Sequence, residues 1–103
     1  MHRLNILAIH RNRKILATVL RLLNTNQHWN GIGAVTDEEA IEVFGQQPVG
    51  IVLFCAGIDP ESEERLKAVF TEQIPTPIFL QHYGGGSGLL TAEIYEALAK
   101  QGH

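Results

Sequence analysis

His10-Arg11-Asn12-Arg13-Lys14 follows without a break on the apolar run Leu4–Ile9 and leads straight into a helical pattern. A basic turn at the start of a helix can hold an anion, because backbone amides, helix dipole and side-chain charges all favour negative charge there. His10, Arg11, Asn12, Arg13 and Lys14 are therefore the candidate anion site, suited to a phosphate, a nucleotide or a phosphorylated partner. The plainer alternative is a set of solvated basic side chains opening a surface helix.

A second group is His10, Cys55 and His82. Each ends or follows an apolar run, so a parallel sheet would gather them at its carboxyl edge. A thiolate beside imidazole can act as a nucleophile or bind a soft metal. Their spacing matches no metal motif, and the expectation is no metal and no cofactor: a lone cysteine in an apolar run is ordinarily a packing residue. The glycine cluster Gly84-Gly85-Gly86-Ser87-Gly88 lacks the glycine-lysine-serine ending of a P-loop and follows the last strand instead of the first. It reads as a flexible connection.

These residues are positioned by four strand-then-helix units. The first strand is Leu4 to Ile9, and the first helix runs from about Arg13 to Leu23 with a buried stripe of Ile15, Leu16, Val19, Leu20, Leu22 and Leu23. A short second strand, Ile32 to Val35, meets Thr36-Asp37-Glu38-Glu39, a capping box opening a helix that stops near Gly45. Val49 to Cys55 shows no alternation and so belongs in the middle of a parallel sheet, covered on both faces. Asp59-Pro60 opens the third helix, and Ile74-Pro75-Thr76-Pro77 separates it from a fourth strand, Ile78 to Gln81. The last helix is expected to begin at Thr91, its N-cap, and to end at Gly102.

The expected fold is a three-layer, doubly wound α/β domain over residues 1–103, flavodoxin-like, with parallel strands in the order 2-1-3-4. In such a sheet the ligand crevice lies at the carboxyl ends of strands one and three. At 103 residues and 11.4 kDa, one domain buries roughly two thirds of its unfolded surface. With 45% hydrophobic and 18% charged residues the chain is globular rather than disordered. No apolar run approaches the ~20 residues that span a bilayer, Met1-His2-Arg3 does not open a signal peptide, and a single cysteine fits a reducing compartment, so a cytoplasmic location without membrane association is expected. Net charge is −3, yet Arg3, Arg11, Arg13, Lys14 and Arg21 precede every acidic residue, and all 11 acids lie from Asp37 onward. That asymmetry suits a charged protein partner or a second copy of the chain. It does not suit nucleic acid, since the chain is acidic overall without aromatic-basic interleaving.

In order and spacing, Ile6 to Asn12, Arg21-Leu22-Leu23, Gly33 to Ile41, Pro48 to Phe54 and Pro77 to Gln81 resemble the receiver domains of two-component response regulators over almost the whole chain. The family uses two acids after strand one to hold Mg²⁺, an aspartate ending strand three as phosphoryl acceptor, a serine or threonine ending strand four, and a lysine after strand five. Here those positions carry His10 and Arg11, then Phe54, then Gln81, and no lysine follows strand four until Lys100. The resemblance implies a degenerate pocket of His10, Arg11, Phe54, Cys55, Gln81 and His82. It also implies a fourth helix lost and a fifth strand missing or reduced to Leu89-Leu90. The implied role is a pseudo-receiver acting as a non-enzymatic signalling module through protein docking or self-association, with Thr91, Ile94, Tyr95 and Leu98 as the interaction surface. In part the chain also resembles the cysteine-phosphorylated domains of cellobiose-type sugar phosphotransferase systems, through Tyr83-Gly84 before the last helix. There the nucleophilic cysteine directly follows strand one, where this chain has His10, so a phosphocarrier would have to use His10 or Cys55. A cobalamin-binding-like domain is suggested only by a histidine ahead of a helix.

Overall fold

Strand β1 (Leu4–Ile9) is apolar except at Asn5, and from Ile6 onward it is buried because both of its faces are covered. Ile6 and Ala8 enter one core layer, Leu7 and Ile9 the other. The computed structural model describes residues 3–55, 57–82 and 87–101. After β1 come α1 (Arg13–Asn24), β2 (Trp29–Ala34), α2 (Asp37–Gln46), β3 (Ile51–Cys55), α3 (Pro60–Phe70), β4 (Ile78–His82) and α4 (Ser87–Gln101). The four strands are parallel in the order β2-β1-β3-β4. This is the doubly wound architecture expected from the sequence.

Helices α1 and α4 cover one face of the sheet, where Leu16, Val19, Leu23 and Ile94 meet Ile6, Ala8, Ile51 and Leu53. Helices α2 and α3 cover the other, where Ala40, Leu66 and Phe70 meet Leu7, Ile9, Val52 and Phe54. Phe44 and Phe70 stack across the second layer with ring centroids 4.4 Å apart. Gly33 on β2 permits α1 to lie close: a Cβ there would come within 2.8 Å of Leu20 and 3.0 Å of Leu16.

Each helix start is written in its cap. The Thr36 hydroxyl accepts from the Glu39 amide while the Glu39 carboxylate accepts from the Thr36 amide, completing the expected capping box of α2. Asp59 caps α3 through the Ser62 amide, with Pro60 in the first turn.

Four expectations need correction. Ile15 is 49% exposed, because α1 turns it outward beside Lys14 and Thr18 instead of into the buried stripe. Strand β2 begins at Trp29 and not at Ile32: Asn30 and Gly31 are poor strand formers, but pairing with Asn5 and Ile6 of β1 imposes the extended form. Leu89-Leu90 is not a vestigial strand; both residues lie in α4, and Leu90 packs in the core. Thr91 is accordingly no N-cap, since α4 starts at Ser87 and takes in Ser87-Gly88 of the glycine cluster. Tyr83, Gly84, Gly85 and Gly86 lie outside the described residues, and with them the Tyr83-Gly84 turn and most of the expected flexible connection.

Replacing Phe70 by alanine should cost about 3–5 kcal/mol in urea unfolding, the range for deleting a buried aromatic side chain. Ile15→Ala should change stability by less than about 0.5 kcal/mol. A loss at Ile15 comparable to that at Phe70 would contradict the layer assignment.

Candidate functional site

Strands β1 and β2 are neighbours, so the residues just beyond their carboxyl ends meet. Arg11 follows β1; Val35 and Asp37 follow β2. The Arg11 guanidinium donates to the Val35 carbonyl at 2.8 Å and to Asp37 Oδ1 at 2.6 Å. Arg65, from α3, donates to the second Asp37 oxygen. Asp37 is 6% exposed, so two guanidinium groups and the Ser62 hydroxyl surround a carboxylate removed from water. Burial alone would push its pKa up, but the hydrogen bonds from Arg11, Arg65 and Ser62 outweigh it and hold the carboxyl below its ordinary 3.8.

The start of α1 is closed in a different way. Asn12 Oδ1 accepts from the Lys14 and Ile15 amides at 3.0 and 3.1 Å, the usual role of an asparagine N-cap. The Asn12 amide in turn donates to His10 Nδ1 at 2.9 Å. His10 is buried, and as an acceptor at Nδ1 its neutral ring carries the proton on Nε2. Burial, and then repulsion from His82, lower its pKa below 6.5. The expected anion cradle therefore has its Asn12, Lys14 and Ile15 amides already bonded, its Arg11 paired with Asp37 and its His10 uncharged. Arg13 lies within electrostatic reach of Glu39, which leaves Lys14 to meet an anion.

At the carboxyl end of β3, Phe54 and Cys55 point to opposite faces. Phe54 is 1% exposed and belongs to the layer under α2 and α3, its ring 6.1 Å from that of Phe79. The Lys67 ammonium lies 5.8 Å from both ring centroids, a cation–π arrangement. It also pairs with Glu63 at 2.9 Å, and Gln81 Nε2 donates to the two Glu63 oxygens at 2.8 and 2.7 Å. Cys55 faces α1 and α4, and burial pushes its thiol up to about 12. That thiol is protonated at neutral pH, so it presents no thiolate nucleophile there. Beside it in register, His82 Nδ1 hydrogen-bonds Glu93 Oε1 at 2.9 Å. The sheet edge thus assembles His10, Cys55 and His82 as expected, but no group of three or more His, Cys, Asp or Glu side chains suited to a metal occurs among the described residues.

Of the expected interaction surface, Thr91 is exposed, Leu98 packs partly on the core and Ile94 is wholly buried against the sheet. Ile94 is therefore a core residue, because it lies on the same side of α4 as Leu90. Tyr95 is 53% exposed, yet its ring sits 5.2 Å from that of Trp29 and its hydroxyl accepts from Asn26 Nδ2 at 2.9 Å. No described helix is long and apolar enough to cross a membrane.

No family model and no curated protein matches the chain. Solved structures do. The signal receiver domain of an HD domain-containing protein from Pseudomonas fluorescens Pf-5 superposes with a TM-score of 0.79 at 17% identity, covering 97% of this chain and 98% of its own. A response regulator receiver domain protein from Clostridium thermocellum gives 0.69 at 13% identity, with 95% and 96% covered. A response regulator receiver protein from Pseudomonas putida gives 0.65 at 16%, with 94% and 81% covered.

The fold is that of a receiver domain. On that receiver frame, the ends of β1, β3 and β4 present imidazole, guanidinium, phenyl and carboxamide groups. Mg²⁺ takes hard oxygen ligands, so this donor set does not fit the ion that receiver phosphorylation uses. The sequence reading missed Asp37 and Arg65 as members of the site. The strand order held the signal, since residues just past adjacent strand ends must meet, and Asp37 is the first acid available to Arg11.

Asp37→Ala should destabilise the receiver fold by about 2–3 kcal/mol, leaving two arginines without their buried partner. Because the folded-state pKa of Asp37 is depressed, its contribution is complete above the ordinary 3.8 and is lost as pH falls through the folded value. Urea midpoints followed from pH 7 to pH 3 should fall for the wild type and fall less for Asp37→Asn; parallel curves would refute the linkage. His10 should titrate below 6.5 in a ¹H–¹⁵N histidine NMR series, with the Nε2–H tautomer dominant at pH 7. A higher midpoint, or an Nδ1–H signal, would contradict the hydrogen bond to the Asn12 amide.

Proposed function

We propose that this chain is a pseudo-receiver: a receiver fold kept as a protein-docking module, with phosphoryl transfer removed. One observation carries the reading. The residue at the phosphoacceptor position, Phe54, is sealed in the α2–α3 core layer against Phe79, with the Lys67 ammonium over its ring. A phenyl ring has no atom that accepts a phosphoryl group, and its place in the core is built from packing instead of from chemistry. Arg11 supports the same reading. Where a receiver needs a carboxylate for Mg²⁺, this chain has a cation bound internally to Asp37.

Phosphocarrier chemistry finds little support. The Cys55 thiol is held protonated, and His10 Nδ1 is engaged by the Asn12 amide. Signalling by docking requires neither group. It requires an invariant surface, which a sheet covered on both faces and tied at its carboxyl edge supplies.

The test is a pair of ¹H–¹⁵N spectra with and without Mg²⁺ and beryllofluoride, the phosphoryl mimic. The expected result is no shift at residues 10–12, 54–55 or 81–82. Saturable shifts there would overturn the proposal. Phe54→Asp should not restore a response; it should instead destabilise the fold by about 3–5 kcal/mol, because it trades a buried ring for a carboxyl group in an apolar layer.

A further inference from the structure

Between α1 and α2, along the outer edge of β2, runs a groove of about 380 Å³. Its floor includes Gly33, its α1 wall Arg13, Ala17 and Leu20, and its α2 wall Glu42 and Val43. The two walls have opposite charge. Helix α1 contains Arg13, Lys14 and Arg21 and no acidic residue; α2 contains Asp37, Glu38, Glu39 and Glu42 and no basic one. Asp37 is engaged with the arginines, and Glu39, which also lines the groove, is held in the capping box and lies within electrostatic reach of Arg13, so Glu42 is the groove's carboxylate without an assigned partner among the described residues.

The edge of β2 is closed to an incoming strand at most of its outward positions. The Trp29 amide donates to the Asn26 carbonyl at 3.1 Å, the Gly31 amide to Asn24 Oδ1 at 2.9 Å and the Val35 amide to Glu39 Oε1 at 2.7 Å. Only Gly33 lies open in the groove floor among these positions. Self-covered edges of this kind prevent indiscriminate strand pairing. What the groove accepts is therefore a side-chain surface bearing both an acidic and a basic ridge.

We propose that a second copy of this chain seats in this groove, making a symmetric dimer whose two-fold axis runs along the strand direction. The axis is fixed by charge. A two-fold axis perpendicular to the sheet would set α1 against α1 and α2 against α2, opposing like charges twice. An axis along the strands exchanges the faces and sets α1 of each copy against α2 of the other, so that Arg13 of one meets Glu42 of the other in two equivalent contacts. The chain itself supplies both ridges in the required order. This deepens the docking reading above and rests on it, naming the face and the partner.

The test is sedimentation velocity of the full chain up to about 1 mM, a concentration at which even a weak dimer of millimolar Kd is populated. Runs at about 20 mM and about 500 mM salt bracket the screening of surface charge. A dimer that weakens with salt is expected, and Arg13→Glu and Glu42→Arg should each weaken it at least about tenfold. Mixing the two variants in equal amounts should restore dimerisation, because a heterodimer recovers both oppositely charged contacts. A chain that stays monomeric, or a dimer indifferent to both substitutions, would overturn the proposal, as would variants whose mixture does not recover. Circular dichroism on each variant separates lost association from lost folding. A monomer with silent beryllofluoride spectra removes the dimer and leaves the pseudo-receiver. A salt-sensitive dimer with responsive spectra does the reverse.

Discussion

The Asp37 carboxylate, buried between Arg11 and Arg65, ties together three segments at the carboxyl edge of the sheet. Arg11 brings the β1–α1 turn, Asp37 the start of α2, and Arg65 the middle of α3. Charge burial of this kind is costly unless every oxygen finds a donor; here Arg11, Arg65 and Ser62 provide them, and Arg11 spends a further donor on the Val35 carbonyl. One acid thus closes the carboxyl edge of the sheet on the α2–α3 side. The geometry follows from topology, since only neighbouring strand ends bring Arg11 within reach of Asp37.

On the proposed pseudo-receiver reading, the same closure takes the place of an ion site on the receiver fold. Arg11 is itself a cation at this edge, and the acid that pairs with it, Asp37, comes from the start of α2. The Phe54 ring packs tilted against Phe79, and Lys67, bridged through Glu63 to Gln81, covers it. At this edge polar pairs form the rim and apolar packing lies beneath.

Much of this architecture was legible in the sequence, and the parts that were not have physical causes. The unalternating runs Leu4–Ile9 and Val49–Cys55 required a sheet covered on both sides, and the capping box at Thr36 and the Asp59-Pro60 start located two helices. Strand β2 was harder to read, because Asn30 and Gly31 become extended only through β1. The start of α4 was hidden because Ser87-Gly88 looks like loop until Leu90 and Ile94 are seen to pack on the sheet. His10, Cys55 and His82 were placed together correctly, but burial, which sequence does not display, keeps the thiol protonated and the imidazole of His10 neutral. The same limit applies to the basic turn: its charges were plain, while their consumption by Asp37 and the Asn12 cap depends on contacts made only in the fold.

If the Asp37 tie holds this edge in a single arrangement, the domain has no second state for a signal to select. The most direct measurement is backbone ¹⁵N relaxation dispersion on the unmodified chain, which detects microsecond-to-millisecond exchange between conformers. Flat profiles across residues 10–12, 35–38, 53–55 and 62–66 are the predicted result. A common exchange process spanning those segments would show that the switch survives and would contradict the account.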